Sequence, residues 1–184
     1  MKIGIDFTPA IYGRGVSRYT INLVNALIKY TKADLTLYGS SLRQKNELKK
    51  QAKNLAKSLP TKFQSFPPSA LSFMWNNGLN SVRKSAPSLD IFHSWDWLQP
   101  PDRDLPLVST IHDLAILRFP ETAHPKIEKM HQKSWQVLRE REAEIIAVSR
   151  ATKKDIVELL GIPAYKVHVI PEALPEKARH TSFL

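Results

Sequence analysis

Hydrophobic and polar positions along this chain follow two alternating periods. Segments of strand length and character occur at Lys2 to Thr8, Asp34 to Tyr38, Lys62 to Phe66, Asp90 to His93, Leu107 to Ile111, Ile145 to Val148 and Val167 to Ile170. Between them lie longer stretches with helical spacing. Val16 to Tyr30 carries Ile21, Leu23, Val24, Leu27 and Ile28 on one stripe. A second stripe is Leu48, Ala52, Leu55 and Leu59. Ala70 to Lys84 reads as one helix despite Gly78, with Leu71, Met74, Trp75, Leu79 and Val82 turned inward, and Ile127 to Glu144 as a charged helix. After Ser149 an apolar face of Ile156, Leu159 and Leu160 predicts a helix that Gly161 ends and Pro163 cannot continue. Strands that alternate with helices need crossover connections, so the pattern predicts an α/β fold: a doubly wound, Rossmann-like parallel sheet with helices on both faces.

Composition narrows the class. With 184 residues the chain has room for one domain, and 42% hydrophobic with 24% charged residues is ordinary for a globular protein. No apolar run nears the roughly 20 residues needed to span a bilayer. Asp6 interrupts the N-terminal apolar run too early for a signal peptide. The absence of cysteine excludes disulfides and thiolate chemistry, and the expected location is cytoplasmic.

The net charge of +10 points to an anionic partner. Much of it sits in one segment, where Lys49, Lys50, Lys53 and Lys57 flank the second stripe. Two readings stand: a solvated helix face, or a helix lying on an anionic membrane surface with those lysines in the headgroup layer. No aromatic residues interleave with the lysines, so nucleic acid is not expected as a partner.

In an open α/β sheet the working site lies beyond the carboxyl ends of the strands. After the first strand comes a turn with Gly13 and Gly15, followed by Arg18 at a helix start, where backbone can approach a ligand closely. The pattern lacks the third glycine of the dinucleotide fingerprint and reads equally as a plain turn. His112 and Asp113 stand together at the end of another strand, and His93, Trp95 and Trp97 at a third. Aromatic faces there would suit pyranose rings, or would simply cap the core. Ser149 follows the Ile145 to Val148 strand. Asp102-Arg103-Asp104 has the form of a metal-binding triplet, but it lies in the loop Pro100 to Pro106 without supporting ligands and is read as surface. Glu140, Glu142 and Glu144 are read as solvated ion-pairing positions on a helix. No metal or cofactor site is expected.

Three segments carry a resemblance: Gly15-Val-Ser-Arg-Tyr19 running into Asn22-Leu-Val-Asn-Ala-Leu27, the strand Val108-Ser-Thr-Ile-His112-Asp113, and Glu144 to Pro175. Together they resemble the N-terminal domain of the retaining family 4 (group 1) glycosyltransferases, two-domain GT-B enzymes. The resemblance implies that His112 contacts the transferred sugar and that Asp113 anchors its loop or the acceptor. It places Gly13, Gly15, Arg18, His93, Trp95 and Ser149 on the substrate side. The acceptor it implies is a cell-envelope or lipid-linked glycan, and the co-substrate is a nucleotide sugar held mainly by a second domain.

In the family that second domain carries two glutamates eight positions apart, and no two glutamates here have that spacing. The expectation is therefore an acceptor-side domain over residues 1–175, a tail or truncated linker over 176–184, and a donor-binding domain either on a separate chain or lost by truncation, without which this chain alone is expected to be inactive. Pro171-Glu172-Ala173-Leu174-Pro175 also departs from the usual Pro-Asn-Gly-Val-Asp exit. Two other readings are open: a non-catalytic acceptor- or membrane-binding module, and an unrelated nucleotide-binding Rossmann-like protein.

Overall fold

The structure, a computed structural model, describes residues 1–13 and 15–173. Seven strands form one parallel sheet: β1 (Lys2–Asp6), β2 (Asp34–Ser40), β3 (Thr61–Gln64), β4 (Ile91–Trp95), β5 (Leu107–Ile111), β6 (Glu144–Ala147) and β7 (Val167–Val169). Their order across the sheet is β3-β2-β1-β4-β5-β6-β7. The chain builds outward from β1 through β2 and β3, then returns to lay β4 on the other side of β1. That reversal is a topological switch point, and its crevice opens at the carboxyl ends of β1 and β4.

Helices fill the crossovers: α1 (Gly15–Tyr30), α2 (Lys45–Leu55), α3 (Pro68–Asn76), α4 (Val82–Ser85), α5 (Ala115–Arg118), α6 (Pro125–Glu140) and α7 (Arg150–Leu160). Successive strand residues face opposite sides, so neighbours on β2 show how the sheet is covered. Leu37 packs with Ile5, Val24 and Leu48 in one cluster, whereas Tyr38 packs with Trp75, Phe92 and Val82 in another. Both faces of the sheet are therefore covered, and a strand inside it such as β6 (EIIA) is mostly apolar for that reason. Gly4 permits the close approach of β4, since a Cβ there would stand 2.5 Å from Leu89 Cδ1 and 2.8 Å from Phe92 Cδ2.

Several expectations are corrected. The helix read across Ala70 to Lys84 is two helices: Gly78 takes a left-handed φ of 66° and stops α3, leaving Leu79 59% exposed. The helix read to Glu144 ends at Glu140; Glu142 has a positive φ of 49°, and Glu144 lies on β6. Glu144 accepts there from Lys166 and His168, each at 2.7 Å. Leu159, expected to face inward, is exposed. Asp102 is not a surface residue: its carboxylate is buried and accepts the backbone N–H groups of Val82 and Arg83, both at 2.9 Å, at the start of α4. Arg141 ties down the same loop through the carbonyls of Pro100 (2.8 Å), Asp102 (2.6 Å) and Leu105 (2.5 Å). Arg14, Leu174, Pro175 and the expected tail over 176–184 lie outside the described residues.

Candidate functional site

The crevice is assembled from four strand ends. β1 runs into a short 3-10 turn, Thr8–Ile11, and Gly13 then adopts a left-handed φ of 69° before α1 begins at Gly15. Ser17 fastens the helix to the turn by donating to the Pro9 carbonyl at 2.6 Å. One turn into α1, Tyr19 presents its ring edge-on to Trp95 (5.6 Å between centroids) and to His112 (4.9 Å).

From β4, the Trp95 indole N–H donates to the Asp6 carbonyl at 2.7 Å, locking the two central strand ends together. Its ring stacks on Trp97 at 6.3 Å and on His112 at 6.2 Å, with interplanar angles of 20° and 19°. Trp95 is wholly buried, so of its two readings, sugar-binding wall or core cap, its burial fits the second, and it forms a floor under the site. Trp97, only half-buried, holds the outer position. His93 likewise lies beneath the surface, its Nε2 2.8 Å from Thr110 Oγ1. Burial, reinforced by His112 nearby, lowers its pKa to about 4, so it is neutral at ordinary pH.

His112, just past β5, is the focus. Its side chain is 20% exposed, and Nδ1 lies 2.9 Å from Glu172 Oε1. A carboxylate only accepts, so Nδ1 carries the proton, and whenever the ring is neutral Nε2 is an acceptor. Nε2 is buried, and no group among the described residues bonds to it. Thr152 Oγ1 donates to the His112 carbonyl at 3.1 Å and so fixes the backbone of the turn.

The remaining expected residues have local duties. Ser149 caps α7, its Oγ accepting the Thr152 N–H at 3.0 Å. Asp113 is exposed and accepts the Ala115 N–H at 2.9 Å, turning the chain into α5. A groove of about 450 Å³ runs between α1 and the segment after β7, lined by Gly15, Arg18 and Tyr19 on one side and by Pro171 and Glu172 on the other. It brings two of the sequence candidates beside the partner of His112. Gly13 is not among its lining residues, and neither are Lys49, Lys50, Lys53 and Lys57, which are exposed on and just beyond α2.

Residues not singled out from sequence complete the site. Burial raises the Asp6 carboxyl to about 6, although it accepts the Thr8 N–H at 2.9 Å. Burial also raises Asp96 to about 7, beside His131 at 3.7 Å, whose own pKa burial lowers. Both partners thus favour their uncharged forms, and the contact is not an ion pair. Burial raises the Tyr19 hydroxyl, and the nearby Glu172 charge adds to the effect. A carboxylate at a buried strand end is a readable signal for Asp6; nothing local marks Glu172, whose partner is 60 residues away. Among the described residues no group of histidines and carboxylates could hold a metal ion.

The sequence model of Glycosyltransferase Family 4 matches residues 13–175. No curated protein matches the chain. Among solved structures, a glycosyltransferase from Rickettsia africae ESF-5 superimposes with a TM-score of 0.53 at 15% identity, over 98% of this chain and 46% of that one. At that identity the likeness concerns the fold, and the chain spans less than half the length of the protein it matches.

Proposed function

The chain belongs to Glycosyltransferase Family 4, and from that premise we propose that it is the acceptor-side, N-terminal GT-B domain of a retaining glycosyltransferase. It receives a cell-envelope or lipid-linked glycan acceptor in the crevice at the carboxyl ends of β1, β4 and β5. The nucleotide-sugar donor is held mainly by a second domain, on the same or another polypeptide. The reaction moves a glycosyl group from the nucleoside diphosphate to an acceptor hydroxyl.

One observation carries the reading: His112 Nε2 is buried at the crevice floor with no partner among the described residues. A buried acceptor left unpaired costs about 1–3 kcal/mol, and a sugar hydroxyl donating to Nε2 would remove that cost. Tyr19 and Trp95 hold the ring from two sides, and Glu172 sets its tautomer, so the acceptor lone pair is fixed before substrate arrives. Arg18 supplies positive charge at the mouth of the adjoining groove for a donor phosphate. No side chain here is assigned as a covalent nucleophile.

The test is saturation-transfer NMR of the chain with a panel of mono- and disaccharides, alongside calorimetry with nucleotide sugars. Glycan contact at millimolar affinity, lost in His112→Ala, is the expected result. Nucleotide sugars alone should bind no more tightly than that. Micromolar binding of a free dinucleotide with no glycan contact would replace this reading with that of an unrelated nucleotide-binding protein.

A further inference from the structure

A second concave site lies outside the His112 crevice, between α3 and α6. It has a volume of about 260 Å³ and is lined by Ser72 and Asn76 from α3, by Trp97, and by Lys126, Lys129 and Lys133 from α6. At about 30 Å³ per water this is room for a single sugar or phosphate ester, not for an oligosaccharide or a nucleic-acid strand.

The charge around it is unbalanced. The three lysines follow one another at spacings of three and four, so they share one side of α6, where like charges destabilise a helix. None of them is within ion-pair distance of a carboxylate among the described residues. The acids on the same helix are engaged elsewhere: Glu128 accepts from Gln132 at 2.8 Å and Glu140 from Gln136 at 2.7 Å. Concentrated positive charge in a concavity attracts a compact anion far more than the same charge spread over a convex face.

The rest of the lining is suited to a sugar. Trp97 offers a half-buried aromatic surface. Asn76 Nδ2 donates to Ser72 Oγ at 3.2 Å, which leaves the serine hydroxyl proton and the Asn76 carbonyl for a ligand. The floor is firm, because Gln99 Nε2 donates to both Trp95 O (2.6 Å) and Ser134 Oγ (2.9 Å). The site also communicates with the crevice: Trp97 stacks on Trp95, and Trp95 stacks on His112. The two sites are opposite ends of one run of stacked rings.

We propose that the α3–α6 groove is an acceptor subsite for a phosphorylated sugar, with the phosphate among Lys126, Lys129 and Lys133 and the sugar face on Trp97. It narrows the acceptor class and rests on the glycosyltransferase reading for its purpose, but not for its binding chemistry. The phosphate ester belongs either to a soluble sugar phosphate or to the headgroup of a lipid.

The experiment is a ¹H–¹⁵N NMR titration of the 184-residue chain with glucose 1-phosphate, and with methyl glucoside as the uncharged control. Shifts should centre on the Trp97 indole and the Asn76 side chain, weaken with added salt, and be much smaller with methyl glucoside. The double variant Lys129→Gln/Lys133→Gln should bind glucose 1-phosphate on the order of tenfold more weakly. The control Lys32→Gln/Lys154→Gln, also exposed lysines, should bind like the parent. Equal weakening in both variants, or shifts mapping away from α3 and α6, would overturn the proposal, as would equal binding of the uncharged sugar.

Vesicles containing phosphatidylglycerol separate the two sources of phosphate. Displacement of glucose 1-phosphate by vesicles supports the site and assigns it to a lipid headgroup; retention supports it and assigns a soluble ester. Neither readout involves transfer. Phosphate binding without any glycan contact at His112 would sink the transferase reading alone, and glycan contact without phosphate binding would sink this proposal alone.

Discussion

Glu172 Oε1 lies 2.9 Å from His112 Nδ1, joining the segment after β7 to the end of β5. This contact decides which nitrogen of His112 is free to meet a ligand. With the carboxylate accepting, the proton stays on Nδ1 and the buried Nε2 is left as an acceptor. Removing the carboxylate in Glu172→Ala should let the proton redistribute toward Nε2. Imidazole ¹³C and ¹⁵N shifts report the tautomer directly. An unchanged Nδ1–H form in the variant would mean that the surrounding rings, not Glu172, set it. Glu172→Gln can still accept through its amide oxygen and should keep much of the parent tautomer.

Trp95 is a structural member of the site and should behave as one. It is fully buried, donates to the Asp6 carbonyl, and touches Tyr19, His93, Trp97 and His112. Trp95→Ala should cost about 3–5 kcal/mol in urea unfolding, through lost burial and the cavity it leaves. Trp95→Phe keeps much of the ring but leaves the Asp6 carbonyl without this donor, at about 1–3 kcal/mol. A loss under about 1 kcal/mol for the alanine variant would show that the ring is not the floor described here.

Much of this fold was readable because strand and helix periods alternate along the chain, and all seven strands appear at their expected places, β5 with the expected ends and the other six with shifted ones. The place of His112 directly after β5 was readable because a polar side chain there follows an apolar strand. The failures share a cause as well. Gly78 was read as a tolerated helix glycine because spacing alone cannot report a left-handed φ. Asp102 looked like surface because its partners, the N–H groups of Val82 and Arg83, are about twenty residues earlier. Trp95 and Trp97 are indistinguishable by pattern, yet a single hydrogen bond to Asp6 marks the first as floor and leaves the second at the rim. Contacts made across the sheet have no local signature.

The basic face of α2 invites a surface test of its own. Leu48 and Ala52 are buried against the sheet side, while Lys49, Lys50, Lys53 and, just past the helix, Lys57 are exposed. Only Lys50 has a carboxylate nearby, Glu47 at 3.8 Å, among the described residues. No helix among those residues is long and apolar enough to cross a membrane. If this face lies on anionic lipid, each lysine contributes about 1 kcal/mol. Neutralising two of them in Lys49→Gln/Lys53→Gln should then weaken vesicle sedimentation roughly 30-fold, without a change in urea midpoint. Equal sedimentation of parent and variant would return the helix to an ordinary solvated face.

Buried groups at the crevice respond to pH in opposite directions. Burial raises Asp96 from 3.8 to about 7, so the folded chain keeps a proton there that the unfolded chain has released. Its contribution is therefore most favourable below about 4, declines as pH rises, and levels off above about 7. Asp6, raised by burial to about 6, follows the same sign over a shorter window. His93 opposes them: burial lowers it from 6.5 to about 4, so its contribution is present above 6.5 and is lost as pH falls toward 4. The parent curve mixes these contributions, but the difference between parent and Asp96→Asn isolates one. The variant has no carboxylate to ionise, and its advantage should grow between pH about 5 and pH about 8 by at most about 3 kcal/mol. His131, 3.7 Å away, remains uncharged over most of that range, because burial lowers its pKa as well. Urea midpoints at the two pH values measure the effect. A variant that differs from the parent by the same amount at both would show that Asp96 is already ionised in the folded chain and stabilised by some other group.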